Sequence, residues 1–342
     1  MTAGALPSRT AFSDVLRPPW PADPSAAAYK DWLHLNVFDH ATGSVGLLNV
    51  SLHGAPDDRR ARAAGSALFH VPGTGWVGSL DITGIADARV GLASIALERV
   101  AIAADGSDGT IHASVRMPDD ALRASIVATP AGRAIDLQRQ FPFGSGWISW
   151  FLVPRLSLRG QIEAAGRSLD MATATAYHDH NWGRWHWGDD LGWDWGTFSA
   201  PAPGPTIVIG RTTDRDHRTA GPWSMVVDTG GTRRFFSGEA VSVTTTGVMP
   251  PPQRRLPGAL AALHGDDRAP RLAEFVRVCG SDGIDHVDVE FRARASAQII
   301  TADPMRRGFG FINQRVGAFS AALSIGGAHS EASGLAVVEF VD

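Results

Sequence analysis

Apolar and polar residues alternate along most of this chain once its Pro-rich opening is passed. His286-Val287-Asp288-Val289-Glu290-Phe291-Arg292-Ala293-Arg294 puts Val287, Val289, Phe291 and Ala293 on one side and charge on the other. That period of two predicts a half-buried antiparallel strand. Similar short strands are predicted at 45–52, 94–101, 110–117, 125–129 and 134–140, and again at 206–209, 224–227, 233–236, 240–244 and 335–341. Turn pairs separate them: Pro72-Gly73, Asp105-Gly106, Asp108-Gly109, Gly230-Gly231 and Asp282-Gly283. Closely spaced strands joined by such turns predict an all-β sandwich or barrel. The pattern allows only two short helices, at 58–67 and 257–264.

The chain has 342 residues, enough for two ordinary domains or one large β domain. A net charge of −4 leaves no basic footprint, which argues against a nucleic-acid partner. Cys279, the single cysteine, cannot form an intrachain disulfide and reads as a small buried apolar residue. Its solitude points to a reducing compartment. Residues 1–25 carry Pro18, Pro19, Pro21 and Pro24 where a signal peptide would have its apolar run, and no stretch approaches a membrane span. A soluble, cytoplasmic protein is expected. No Gly-x-Ser-x-Gly, P-loop or dinucleotide fingerprint is present.

Candidate chemistry concentrates in Tyr177-His178-Asp179-His180-Asn181-Trp182-Gly183, which runs on through Trp185, Trp187, Trp193, Asp194 and Trp195. Five of the eleven Trp lie between 182 and 195, interleaved with ionisable groups. Such a mixture suits an apolar pocket with a few inward polar groups. If 173–182 is a strand, Tyr177, Asp179 and Asn181 share one face, and His178, His180 and Trp182 the other. One face offers a His-x-His pair for zinc, with His186, Asp189 or Asp190 as third ligand; no third ligand stands at motif spacing. The other offers an acid, Asp179, beside Tyr177. Burial against indole raises a carboxyl pKa, so Asp179 could donate a proton at neutral pH. Protonating an alkene creates a carbocation, which Trp faces stabilise. The plainer alternatives are an Asp179 paired with Arg184, histidines bound to loop carbonyls, and Trp serving as core.

The run Ala176–Gly183 followed by Trp193-Asp194-Trp195-Gly196 resembles the hydroxyneurosporene synthase (carotenoid 1,2-hydratase) family and the AttH-like proteins of the same lipocalin-like superfamily. Trp150-Phe151-Leu152-Val153-Pro154-Arg155 is similar to the family's Trp…Val-Pro segment. The closing strand, 334–339, is also similar. The resemblance implies an all-β protein of two lipocalin-like domains packed side by side: an arm at 1–25, then domains at 26–172 and 173–342. It implies cofactor-free acid catalysis with Asp179 as proton donor and Tyr177 as its partner. One departure stands out: Trp147-Ile148-Ser149-Trp150 lacks the His expected near the upstream Trp. His34, His53 and His70 are candidate bases from elsewhere.

These readings converge on hydration or cyclisation of an apolar isoprenoid or polyene by proton transfer. The enzyme would be a lyase of the hydratase type, or a cyclase or isomerase, needing no cofactor and no metal. Asp179 and Tyr177 would be catalytic, and Trp150, Trp182, Trp193, Trp195, Asn181, His178 and His180 would bind substrate. The partner would be an apolar small molecule, reached by peripheral membrane contact without an integral segment. The rival is a non-catalytic carrier of such a molecule. Asp194 is expected to fix its strand, Asp189-Asp190 to form a solvated turn, and 303–311 to be an ordinary loop.

Overall fold

A computed structural model describes residues 14–17, 26–118, 121–265, 271–305 and 307–342. The prolines of the expected arm lie outside these residues. The first half of the chain forms β1 (Tyr29–Asp39), β2 (Ser44–His53), β3 (Arg62–Val71), β4 (Gly75–Gly84), β5 (Arg89–Gly91), β6 (Ser94–Ala96) and β7 (Val100–Ala104). It continues with β8 (Ile111–Arg116), β9 (Leu122–Pro130), β10 (Ile135–Phe143), β11 (Gly146–Ala164), β12 (Arg167–Ser168) and β13 (Thr175–Arg184). The second half forms β14 (Gly192–Ser199), β15 (Thr206–Thr213), β16 (Ser224–Asp228), β17 (Arg233–Ser237), β18 (Val241–Thr246) and β19 (Arg254–Leu256). Then come α1 (Gly258–His264), β20 (Phe275–Ser281), β21 (His286–Ala302), β22 (Phe309–Ile325) and β23 (Ala328–Val341).

Two sheets result, of thirteen and ten strands, antiparallel throughout except for the short β19–β21 pairing. The all-β, two-domain barrel expectation is met. The first sheet runs β4-β3-β2-β1-β13-β11-β9-β8-β7-β6-β5. Each sheet curls over its own apolar core: Leu33, Leu35, Val50, Phe69, Phe151 and Ile162 in the first, Phe198, Val278, Phe291 and Phe319 in the second. A third cluster joins the sheets, with Phe38, Trp150, Leu152 and Tyr177 from one and Trp195, Val208, Val316 and Val337 from the other.

Sheet membership moves the expected break at 172/173. β13 pairs with β1 and β11 inside the first sheet, and the chain crosses to the second only after Arg184. The expected helix at 58–67 is also replaced: a turn leads into β3. Its small residues serve close packing, for Gly65 faces Val100 and Leu97 of the opposite wall, and Ala63 and Ala67 are fully buried. The second helix appears as α1. The strand expected at 94–101 breaks between β6 and β7. No helix among the described residues is long and apolar enough to cross a membrane.

The sheets are also tied by polar contacts. Arg155 Nη2 donates to Ala200 O at 3.1 Å and Pro205 O at 3.0 Å, and its Nε donates to Thr206 Oγ1 at 3.2 Å. Thr175 and Ser199 hydroxyls meet at 2.8 Å. Buried Lys30 donates to Trp185 O at 3.0 Å, holding the crossover against β1.

Gly183 lets β11 approach β13 closely. A Cβ there would lie 2.1 Å from Trp147 O and 2.9 Å from Ile148 Cα. Backbone cannot yield cheaply, so Gly183→Ala is expected to cost about 1–3 kcal/mol, measured by denaturant unfolding.

Candidate active site

The pleat of β13 sorts its side chains between two interiors. Ala176 and Trp182 enter the first sheet's own core, while Tyr177 joins the cluster between the sheets. Asp179 and Asn181 follow Tyr177 and line a cavity of about 160 Å³ between the two sheets. Opposite neighbours across an antiparallel pair share a face, so register carries the wall outward. His34 lies opposite Asp179, Trp32 and Trp150 opposite Asn181, and Asn49 opposite His34. The second sheet supplies Trp193, Trp195, Gln314 and Glu339. Trp187, from the crossover, closes the aromatic wall, so five of the chain's eleven Trp line one cavity.

Asp179 is 5% exposed and receives two neutral hydrogen bonds. The Tyr177 hydroxyl donates to Oδ2 at 2.8 Å and the Asn181 amide donates to Oδ1 at 2.7 Å. No ion pair reaches it among the described residues. Burial raises its pKa, outweighing the His34 charge and the Tyr177 hydrogen bond, which would lower it. Burial, and then the charge of Asp179, push the Tyr177 phenol well above its ordinary range, so it stays a donor. Among the described residues, the buried indole N–H groups of Trp150 and Trp195 meet no acceptor in good hydrogen-bond geometry. Arg184 does not reach Asp179: it follows the even-numbered face and borders a separate polar recess with Arg17, Trp147 and Trp182.

Three expected binding residues stand on the far face, away from this cavity. His178 Nε2 meets Asp14 Oδ1 at 2.9 Å and its Nδ1 meets His34 O at 2.8 Å. His180 Nε2 meets Asp31 Oδ1 at 2.8 Å, and Tyr29 also bonds Asp31. Trp182 packs in the first core beneath the Arg17 guanidinium, 4.8 Å from its ring. Their even numbering is the reason: a strand residue cannot serve both interiors. These histidines anchor residues 14–17 to β13. His186 is elsewhere again, with Nδ1 at 3.0 Å from Asp303 Oδ2. Among the described residues, no group of three or more His, Cys, Asp or Glu is arranged to hold a metal.

Of the candidate bases, His34 and His53 line the cavity and His70 does not. Burial lowers both ring pKa values, His53 to about 3, aided by the Lys30 charge. Asp194 lines the cavity but is spent as an anchor. Arg211 Nε donates to it at 2.8 Å and His217 lies 3.4 Å away. Burial alone would raise its carboxyl, yet His217 and Arg211 leave it lowered.

Sequence reading missed Glu339. It sits on β23 opposite Trp195 and Gln314, and accepts hydrogen bonds from Trp193 Nε1 and Gln314 Nε2. Burial first, then the neighbouring Asp179 charge, push its pKa up to about 7. The signal was present: an acid inside Leu335-Ala336-Val337-Val338-Glu339-Phe340-Val341, a run too apolar for solvent.

No protein-family model matches the chain, and no curated protein matches it in sequence. Solved structures do match. A protein assigned as AttH from Nitrosomonas europaea superposes with TM-score 0.65 at 14% identity, covering 99% of both chains. Kievitone hydratase from Nectria haematococca superposes at 0.61 and 11% identity, over 97% of this chain and 95% of that one. CghA, solved with Sch210972, superposes at 0.62 and 13% identity, over 93% and 89%. At these identities the likeness is one of fold.

Glu339 should govern stability near neutrality. Its folded pKa of about 7 exceeds the reference 4.5, so its contribution is complete below about 4.5 and is lost as pH rises through 7. Relative to wild type, Glu339→Gln is therefore expected to gain about 2–3 kcal/mol between pH 5 and pH 8, at about 1.4 kcal/mol per pKa unit. Denaturant melts at the two pH values measure this.

Proposed function

We propose that this protein is an enzyme that protonates a carbon–carbon double bond of an apolar substrate, with Asp179 as the acid, leading to hydration or cyclisation. The observation that carries the reading is a carboxyl buried on a cavity wall, hydrogen-bonded by two neutral donors and, among the described residues, left without a cation. Such a group is held in the neutral form and can give a proton. Tyr177 would orient it and supply a donor once Asp179 becomes an anion. Asn181 would fix the other oxygen. The cation formed would face Trp150, Trp193 and Trp195, each worth about 0.5–2 kcal/mol when water is excluded.

An isoprenoid or polyene fits the indole and aliphatic walls. The cavity of about 160 Å³ suits the reacting end of such a molecule. Its remainder would extend past Leu80 toward Ile82, which is half exposed. The hydratase and the CghA structure support hydration or ring-forming chemistry for this fold by analogy. The carrier reading is the weaker one, since a carrier gains nothing from keeping an unpaired acid beside its ligand.

The test uses branched isoprenoid alkenes in deuterated buffer, read by mass spectrometry. Deuterium at carbon reports protonation whether water or a ring closes the reaction. Asp179→Asn is expected to lower incorporation by about 10²–10⁴-fold, the usual worth of a general acid. Tyr177→Phe should lower it less. Bound alkenes that never incorporate deuterium would instead mark a carrier.

A further inference from the structure

Protonation of an alkene leaves two tasks open. Something must face the cation, and something must receive the proton released when water adds or when a ring-forming cascade ends. We propose that Glu339 is the second reacting carboxyl of this site: it faces the cation formed when Asp179 gives up its proton, and it takes the proton released at the end. This rests on the acid reading of Asp179.

Geometry carries the inference. Asp179 reaches the cavity from β13 of the first sheet and Glu339 from β23 of the second. A substrate between the sheets would therefore have one carboxyl on each side. The two are supported differently. Asp179 receives hydrogen bonds from a phenol and an amide of its own strand, whereas Glu339 receives an indole N–H from β14 and an amide N–H from β22. Trp193, which holds Glu339, also stacks with Trp32 at 6.2 Å and lies 6.0 Å from Trp187. The carboxylate thus stands beside a group of indole rings, the arrangement that recognises cations. Like charges in one cavity do not both ionise freely, so one negative charge shared by the pair is the stable state near neutrality. The other titratable groups on the walls are His34 and His53, held neutral, and Asp194, whose charge is answered by Arg211.

In hydration, the Asp179 O–H bond breaks as a C–H bond forms. Water then makes the C–O bond, and its proton passes to Glu339. In cyclisation, a C–H bond adjacent to the final cation breaks, its electron pair forms the new C=C bond, and Glu339 receives that proton. In either case one proton has moved from Asp179 to Glu339, and its return resets the site. No oxidant or further reactant is needed.

The test needs no native substrate. N,N-dimethyldodecylamine is cationic at pH 7, and its N-oxide has nearly the same shape but no net charge. Binding of each, below micelle formation, is followed by tryptophan fluorescence of the full chain. Wild type is expected to prefer the ammonium at least about tenfold. Glu339→Gln should erase that preference, and Asp179→Asn should keep it, because Asn resembles the protonated acid. Glu339→Asp, which retains the charge, should retain part of it and guards against misfolding of the Gln variant. If Glu339→Gln keeps the preference, or wild type shows none, the proposal fails and the acid role of Asp179 stands. If Asp179→Asn erases it instead, Asp179 carries the charge and both readings fail together. Carboxyl carbon resonances give a second readout. Glu339 should titrate near 7 in wild type and stay well above 4.5 in Asp179→Asn, where Asn stands in for the protonated acid. A midpoint near 4.5 in both proteins would overturn the pairing.

Discussion

Asp179 sits between the Tyr177 hydroxyl and the Asn181 amide, facing a wall of indole, with no cation among the described residues to neutralise it. Much of the surrounding architecture can be understood from that placement. A carboxylate desolvated this far is costly unless paired or protonated. The neighbours supply hydrogen bonds without charge, and Asp194, which could have competed for the same role, is tied to Arg211 and His217. Two acids of the same kind thus acquire opposite characters within one cavity. Burial raises the carboxyl of one, while Arg211 and His217 leave the other lowered.

The strand that carries Asp179 is buried on both faces, which is unusual for an antiparallel sheet. Its even-numbered residues belong to the first sheet's core and its odd-numbered residues to the space between the sheets. That is why β13 mixes His, Asp, Asn and Trp so densely. The far-face histidines pair with Asp14 and Asp31, satisfying buried polar groups that would otherwise be orphaned. On the near face, the indole N–H groups of Trp150 and Trp195 meet no acceptor in good geometry among the described residues.

Period-two patterning made the strands legible wherever one face met solvent, as in β21. It failed in β1, β11 and β22, where buried residues run together and the alternation disappears. It misread β3 as helix because alanine and glycine there answer to packing across the barrel rather than to backbone preference. The Tyr177/Asp179/Asn181 face could be read from parity, since a strand offers only two sides. Sequence could not say which side held the cavity, and so His178, His180 and Trp182 were counted as pocket residues. Glu339 escaped for a different reason. It comes from the other sheet, more than 150 residues away in the chain, and no local pattern links it to Asp179.

The cavity wall belongs to neither sheet alone, and Arg155 fastens the seam by bridging β11 to the 200–206 turn. The molecule is therefore a vise rather than a cup. Its two jaws are separate sheets, each with its own core, and Arg155 braces the gap from outside the cavity. Substitutions within the second sheet could widen or reshape the gap while leaving β13 untouched. A fold built this way can change the shape of its cavity from one jaw while the other keeps its own pairing.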